Sequence, residues 1–569
     1  MRVRARLLTF LALSAFPLGL AGCATAPAQS VSPPLAAAPI PAAEPAAVPS
    51  GPPRLIVAIS VDQFSADLFA QYRSRYTEGL RRLQQGAVFP AGYQSHAATE
   101  TCPGHSTILT GDHPARTGII ANNWFDLGAA RDKKSIYCAE DETKAASDPK
   151  DYVASVGHLL VPTLGDRMKA ADPRTRSVAV AGKDRAALMM GGRTLDQVYW
   201  WKGSGFATLE GRTLGPSALA ENEAVAAQLA VPAAAMPLPG DCTAMDRPIQ
   251  AGKVTVGTGR FARGAGEANQ FRISPALDAA TVDLAKKVIA EMDLGTGAAT
   301  DIIAVGLSAT DYIGHATGTE GTEMCIQMHA LDHAVGDLLS FLESRGIDYQ
   351  VVLTADHGGF DVPERLDIQG LPHAARAVPA LVPEALGKAI AERLKIAVKG
   401  PLILGDAPFG DLYFNRALTA RQKTQVFGEL KREALAQPQV AAVFSAAEIA
   451  ATPPPTGSPE TWTLIQRARA SYYAPRSGDA VMLLKRAIVP IPVPAPGYTA
   501  THGSPWDYDR RVPMLFFRPG MTGFEQPNAV ETVDIAPTLA ALIGLSSEPG
   551  AFDGRCLDLD PGAATTCAR

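Results

Sequence analysis

Short apolar runs mark out the chain at residues 54–60, 177–181, 301–307, 349–355 and 512–517. None alternates regularly between apolar and polar positions, so each predicts a strand covered on both faces. Between them, over 280–292, 323–343 and 533–545, apolar residues recur at helical spacing. Strands alternating with helices predict a three-layer α/β/α sandwich around a mainly parallel central sheet. Two regions break the pattern. Residues 191–269 are loop-rich, with Trp200, Trp201 and scattered Pro and Gly. Residues 361–496 hold a helical run over 421–435, a strand over 411–415 and a Pro-rich stretch over 488–496. Both are expected to be insertions capping the active-site face of a domain spanning 54–569.

The 569 residues, 47% hydrophobic and 19% charged, suffice for a large core. A net charge of −5 without any basic tract argues against a nucleic-acid partner. The N-terminus changes the picture more. Arg2, Arg4 and Arg6 precede an apolar run from Leu7 to Leu20, too short for a good membrane span. It ends in Leu20-Ala21-Gly22-Cys23, which looks like a bacterial lipobox. Residues 1–22 are therefore expected to be a signal peptide, with a lipid on Cys23 as the sole membrane attachment. The alternative is secretory cleavage near Ala26 or Ala28. Either route exports the protein, to the periplasm as a lipoprotein or in secreted form. Residues 23–53 are rich in Ala and Pro, lack periodicity and read as a tether.

The chemistry lies where the strands end, the edge at which open α/β sheets bind ligands. Run 54–60 leads to Asp62. Run 301–307 leads to Asp311 and His315, expected in one short loop. Run 349–355 leads to Asp356-His357-Gly358-Gly359, and run 177–181 to Gly182-Lys183-Asp184-Arg185. His502 stands in Thr501-His502-Gly503. Carboxylate and imidazole without thiolate suit catalytic zinc or manganese. The set divides in two. Asp62, Asp356 and His357 can hold one ion, with Thr101 as fourth ligand. Asp311, His315 and His502 can hold another and leave a position open. Two ions about 4 Å apart suit in-line phosphoryl displacement.

Thr101 belongs to Thr99-Glu100-Thr101-Cys102-Pro103-Gly104-His105, which reads as a strand-to-helix junction. Pro103 fits a first helical turn and Gly104 permits close backbone approach. The Thr101 hydroxyl then lies beside free helix N–H groups that favour an anion. Alone, a Thr in this position reads as an N-cap; the metal set shifts the reading to nucleophile. His329 and His333 have i,i+4 spacing but lack the Glu of an HExxH pattern. They are read as structural, as are His105 and His373.

In chain order, Asp62, Thr101-Cys-Pro-Gly-His105, Asp311-x-x-x-His315, Asp356-His357-Gly-Gly and His502-Gly resemble the alkaline phosphatase superfamily, from about Arg54 to Leu545. Within it the chain looks most like the secreted alkaline phosphatases of the PafA/PhoK type, which use a threonine nucleophile. Asn122 matches the Asn that contacts a phosphoryl oxygen. Lys183 and Arg185 match the cationic pair that the monoesterase branch places over the phosphate. The resemblance implies a phosphoric monoester hydrolase acting on small-molecule esters with two zinc ions and a phosphothreonine intermediate. The cationic pair also makes physical sense, because a dianionic monoester gains more from it than a monoanionic diester. Rival readings are a nucleotide pyrophosphatase or phosphodiesterase with the same metals, a sulfatase or phosphonate hydrolase, and a non-catalytic surface-binding lipoprotein. The residues leave open a third ion such as calcium.

With Cys23 set aside for lipid, Cys102, Cys138, Cys242, Cys325, Cys556 and Cys567 remain. An exported protein permits disulfides. Cys556 and Cys567 are expected to pair, with Cys138–Cys242 as a second pairing. Cys102 is expected to be a small buried residue.

Overall fold

The computed structural model describes residues 51–144, 151–371 and 373–567. The expected signal peptide, Cys23 and nearly all of the tether lie outside them. The central sheet contains β1 (Leu55–Val61), β2 (Ala87–Tyr93), β3 (Ser177–Ala181), β4 (Gln197–Lys202), β5 (Asp301–Leu307), β6 (Tyr349–Thr354) and β7 (Arg511–Phe517). Their order is β2-β7-β6-β1-β5-β3-β4, with Phe524–Glu525 outside β2 and Gly205–Ala207 outside β4. From β6 to β4 the strands run parallel. β7 is antiparallel to both of its neighbours.

Alternation along β1 builds the layers. Leu55, Val57 and Ile59 enter one core, while Ile56 and Ala58 enter the other. The second core also takes residues from α1 (Thr101–Thr110), α2 (Leu164–Ala171) and α3 (Asp184–Gly191). The first takes residues from α4 (Ala276–Glu291), α5 (Ala309–Thr317) and α6 (Gly321–Ser344), and α7 (Ile535–Leu542) joins the second. The expected three-layer sandwich is thus the observed one. The helices expected over 280–292, 323–343 and 533–545 are α4, α6 and α7, the last entered through a 3-10 turn at Thr532–Asp534.

The region over 191–269 does not behave wholly as an insertion. β4 pairs in parallel with β3 and extends the central sheet. Its Trp200 packs in one core and its Tyr199 and Trp201 in the other, as aromatic-rich sequence favours. Residues 361–496 contribute a second sheet within the same compact unit. It is a four-stranded sheet of Ile403–Leu404, Gly410–Phe414, Ala480–Leu484 and Val440–Ser445, with its own core and the helix Ala420–Leu435. β2 was not anticipated, because Pro90 and Gly92 interrupt its apolar pattern. It pairs with β7 across an irregular register that accommodates such residues.

Cys556 pairs with Cys567 as expected. Cys138 pairs with Cys102, and Cys242 with Cys325, instead of Cys138 with Cys242. Cys102 is therefore a cross-link next to Thr101 as well as a buried side chain. Among the described residues no helix is long and apolar enough to cross a membrane.

Candidate active site

Strand register assembles the site. Ser60 of β1 stands level with Gly306 of β5 and Thr354 of β6, and Gly306 stands level with Ala181 of β3. Parallel strands in one row deliver the residues that follow to one edge. Two residues on from Ala181, Ser60 and Thr354 lie Lys183, Asp62 and Asp356. β5 instead leads into α5, so Asp311 and His315 sit four apart on one helix face, not in a loop.

α1 closes this edge. Its first residue is Thr101 and its N-cap is Glu100, so Thr101 is not the cap. A Cβ on Gly104 would fall 1.9 Å from the Asp356 carbonyl oxygen. Only glycine lets α1 lie this close, which holds Thr101 over the Asp356 loop. Gln63, beside Asp62, has a positive φ of 65°, a strained backbone at the centre of the site.

The imidazoles are oriented alike. The Nδ1 atoms of His315, His357 and His502 lie 2.9, 2.8 and 2.8 Å from the carbonyl oxygens of Ala500, Gly358 and Thr99. That leaves each Nε2 facing inward, the arrangement that second-layer partners impose on metal-binding histidines. The Nε2 atoms of His315 and His502 lie 3.3 and 3.4 Å from Asp311 Oδ1, which accepts no hydrogen bond. The ligand atoms of these three residues lie within 4.8 Å of one another.

Asp356 Oδ1 accepts the backbone N–H groups of Gln63 and His357, while its Oδ2 accepts none. His357 Nε2 is 3.1 Å from that Oδ2, 3.5 Å from Thr101 Oγ1 and 4.0 Å from Asp311 Oδ1. It lies between the two groups, with its ring stacked 3.5 Å from that of His502.

His105 is no bystander. Its Nδ1 lies 2.8 Å from the Thr101 carbonyl oxygen and 3.2 Å from Asp356 Oδ2, and its Nε2 lies 3.3 Å from Asp62 Oδ1. Asp62, His105 and Asp356 form the second close group of donor atoms. The signal was present in the sequence, since His105 follows Thr101 by four positions on a helix and so shares its face. Among the described residues, the possible metal donors grouped with His329 are Asp241 and the disulfide-bonded Cys242 and Cys325. His333 pairs with Glu78 at the surface.

Lys183 links the two groups. Its buried ammonium lies 2.9 Å from Asp62 Oδ2 and pairs with Asp311 Oδ2. Burial alone would raise the Asp62 pKa, but Lys183 and His105 outweigh it and hold this carboxyl well below its usual range. Burial would lower the Lys183 pKa, but Asp311 and Asp62 drive it up. Burial, together with the neighbouring His357, pulls His502 down to about 3, so this imidazole is neutral and free to act as a ligand. Burial opposes charge on His357 too, but Asp356 and Asp311 bring it up to about 9; carboxylates that hold a proton so firmly would also hold a cation.

Asn122 Oδ1 accepts the Cys102 N–H at 2.8 Å, which aims its amide NH₂ elsewhere. Glu100 accepts the Asn122 N–H at 2.7 Å. Arg185 Nη1 donates to the Tyr137 hydroxyl, and Tyr137 and Tyr152 both donate to Asp184. Asp184 is thus occupied by hydroxyls rather than by Lys183. Buried carboxylate oxygens without hydrogen bonds, facing inward-pointing Nε2 atoms and no thiolate, make donor groups of the kind that hold divalent cations.

This chain belongs to the type I phosphodiesterase / nucleotide pyrophosphatase family, within the alkaline phosphatase superfamily; the family match spans residues 56–488. Among its relatives is alkaline phosphatase PhoK of Sphingomonas sp., 58% identical over 520 residues, or 91% of this chain and 93% of that protein. Another is alkaline phosphatase PhoD of Zymomonas mobilis, 50% identical over 517 residues, or 90% of this chain and 89% of that one. The fold matches the crystal structure of wild-type alkaline phosphatase PafA with a TM-score of 0.77, at 24% identity, over 90% of this chain and 99% of that one. His502 lies beyond the family match, and the fold returns it to the Asp311 group.

Proposed function

We propose that this chain is a zinc-dependent alkaline phosphatase that hydrolyses phosphate monoesters through a phosphothreonine at a two-metal site. Identity of 58% and 50% to two alkaline phosphatases over nine-tenths of the chain supports phosphomonoester hydrolysis. The observation that carries the finer reading is Lys183, a buried cation lying between Asp62 and Asp311. Asp62, Asp356, His357 and Thr101 would hold one zinc, and Asp311, His315 and His502 the other. Bound zinc would supply Lewis acidity, easing proton loss from the Thr101 hydroxyl and offsetting charge on the departing oxygen.

The chain's own residues do the rest. Thr101 Oγ1 bonds to phosphorus as the ester P–O bond breaks, and the alcohol leaves with a proton. Water then cleaves the phosphothreonine, releasing phosphate and restoring the hydroxyl. The Asn122 amide, Lys183 and Arg185 stabilise the equatorial oxygens; the first turn of α1 adds little, since Asn122 takes the Cys102 N–H, Pro103 has none and Glu100 takes that of Gly104. His105 holds Asp62 and Asp356 in place. We assign residues 1–22 to a signal peptide, 23–53 to a tether anchored by lipid on Cys23, and the exported protein to the periplasm.

Chelation should abolish hydrolysis and zinc should restore it, whereas Asp311→Ala and His357→Ala should each lose most activity even in excess zinc. Thr101→Ala should be nearly inactive, and Thr101→Ser should retain measurable turnover. Trapping substrate at acidic pH and mapping the phosphopeptide should place phosphate on Thr101. Phosphate on Thr99 or Thr107, with Thr101 unmodified, would reject the nucleophile. The diesterase reading predicts instead a wild type that prefers a nitrophenyl diester to the matching monoester.

A further inference from the structure

Beyond Lys183 and Arg185 the site opens into a cleft of about 390 Å³, lined among others by Trp201, Lys202, Arg272 and Tyr312. Its chemistry is one-sided. Lys183, Arg185, Lys202 and Arg272 bring cationic side chains to it, with Arg272 Nη2 donating to Asn269 Oδ1 of the same lining at 2.7 Å. Lys202 is exposed and makes no ion pair among the described residues. The carboxylate in the lining, Asp184, is already taken by Tyr137 and Tyr152. A lining that gathers cationic side chains around a carboxylate already occupied marks a place for an anion.

The cleft is coupled to the reaction centre through Tyr312, the neighbour of Asp311. Lys183 Nζ lies 5.0 Å from the centroid of the Tyr312 ring, and the Arg272 guanidinium lies 4.5 Å from it. The same ring thus contacts a cation of the Asp62 and Asp311 groups and a cation of the cleft.

We propose that this cleft is a subsite for a second anionic group of the substrate, a carboxylate or a further phosphate, recognised by Arg272 and Lys202. The preferred esters would be those whose alcohol bears such a group a short carbon chain away. This rests on the monoesterase reading above, deepens it to a substrate class, and leaves the chemistry at Thr101 unchanged.

The test compares propyl phosphate with propane-1,3-diyl bisphosphate, two alkyl esters that differ in the second charge. Wild-type protein should favour the bisphosphate. Arg272→Ala and Lys202→Ala should each lower kcat/KM for the bisphosphate about tenfold, through KM, while propyl phosphate changes less than twofold. Arg272→Lys should recover part of the loss, and the exposed Lys202→Glu should exceed Lys202→Ala. Equal losses on both esters, or a wild type preferring propyl phosphate, would overturn the subsite. Failure of wild type to hydrolyse either ester would strike the monoesterase reading alone. In that case calorimetry with methylenebisphosphonate still tests the cleft: tenfold weaker binding by Arg272→Ala supports it and equal binding rejects it.

Discussion

Two openings border the residues around Thr101, and their linings are opposite in kind. One faces the inserted four-stranded sheet, where Ala97, Phe125, Phe409, Tyr413 and Val481 meet Glu100, Asp406 and Asp411. Burial brings Glu100 up to about 7 and Asp411 up to about 6, and it raises Asp406 as well. The other faces the β4 edge, where Lys183, Arg185, Lys202 and Arg272 meet Asp184. At alkaline pH the first opening carries carboxylates against an apolar wall, and the second carries cations. A phosphate ester with a second negative charge is repelled by one and attracted by the other. The second sheet and the β4 side thus flank the candidate site with linings of opposite charge.

The strongest way to break this comparison is to disturb the floor that both openings share. Gly104→Ala places a methyl group against the Asp356 carbonyl and must push α1 away. Turnover should fall on the order of a hundredfold for every ester alike, since misplacement of about 1 Å costs that much. Unchanged kcat with folded protein would show that close approach of α1 is dispensable.

Next comes the cationic side. Lys183→Ala and Arg185→Ala should lower monoester kcat/KM about ten- to a hundredfold and diester kcat/KM less, measured at one pH and one zinc concentration. The two losses need not add if, as proposed, both residues grip one phosphate. Zinc content should be assayed in parallel, since Lys183 also pairs with Asp62 and Asp311. An unchanged monoester-to-diester ratio in the double variant would move the protein to the diesterase reading.

The smallest effect belongs to the acidic side and reads on stability. Burial sets the folded Asp411 carboxyl at about 6, above its ordinary value near 4. The unfolded chain therefore releases this proton first. The wild type loses stability as pH rises from about 4 to 6 and does not regain it above. Asp411→Asn keeps an acceptor for the Gly478 N–H, which meets Asp411 Oδ1 at 2.6 Å. The variant should match the wild type below pH 4 and be more stable by about 1 kcal/mol above pH 6, read as a higher Tm. A variant less stable at alkaline pH would show that the ionised carboxylate is favourably held.

Much of this was written locally in the chain. Apolar runs unbroken by polar positions announced strands buried on both faces, and β1, β3, β5, β6 and β7 formed where those runs lay. Asp62, Asp356, His357 and Lys183 could be singled out because each follows such a run within a few residues, a spacing that does not depend on the rest of the fold. Thr101 and Gly104 were legible for the same reason, as a helix start and a close contact. Tertiary structure decided whatever depends on segments far apart meeting. The shared row of Ser60, Gly306, Thr354 and Ala181 turns separate strand ends into one site, and no single strand encodes its neighbour's register. β4 became part of the sheet because β3 offered an open edge, although its sequence looked like a loop. Cys138 found Cys102 rather than Cys242 because distance in space, not along the chain, sets the pairing. Arg272 and Lys202 carry no motif. The fold alone brings them to one cleft with Lys183 and Arg185, where the charge of the surroundings sets what a side chain can meet.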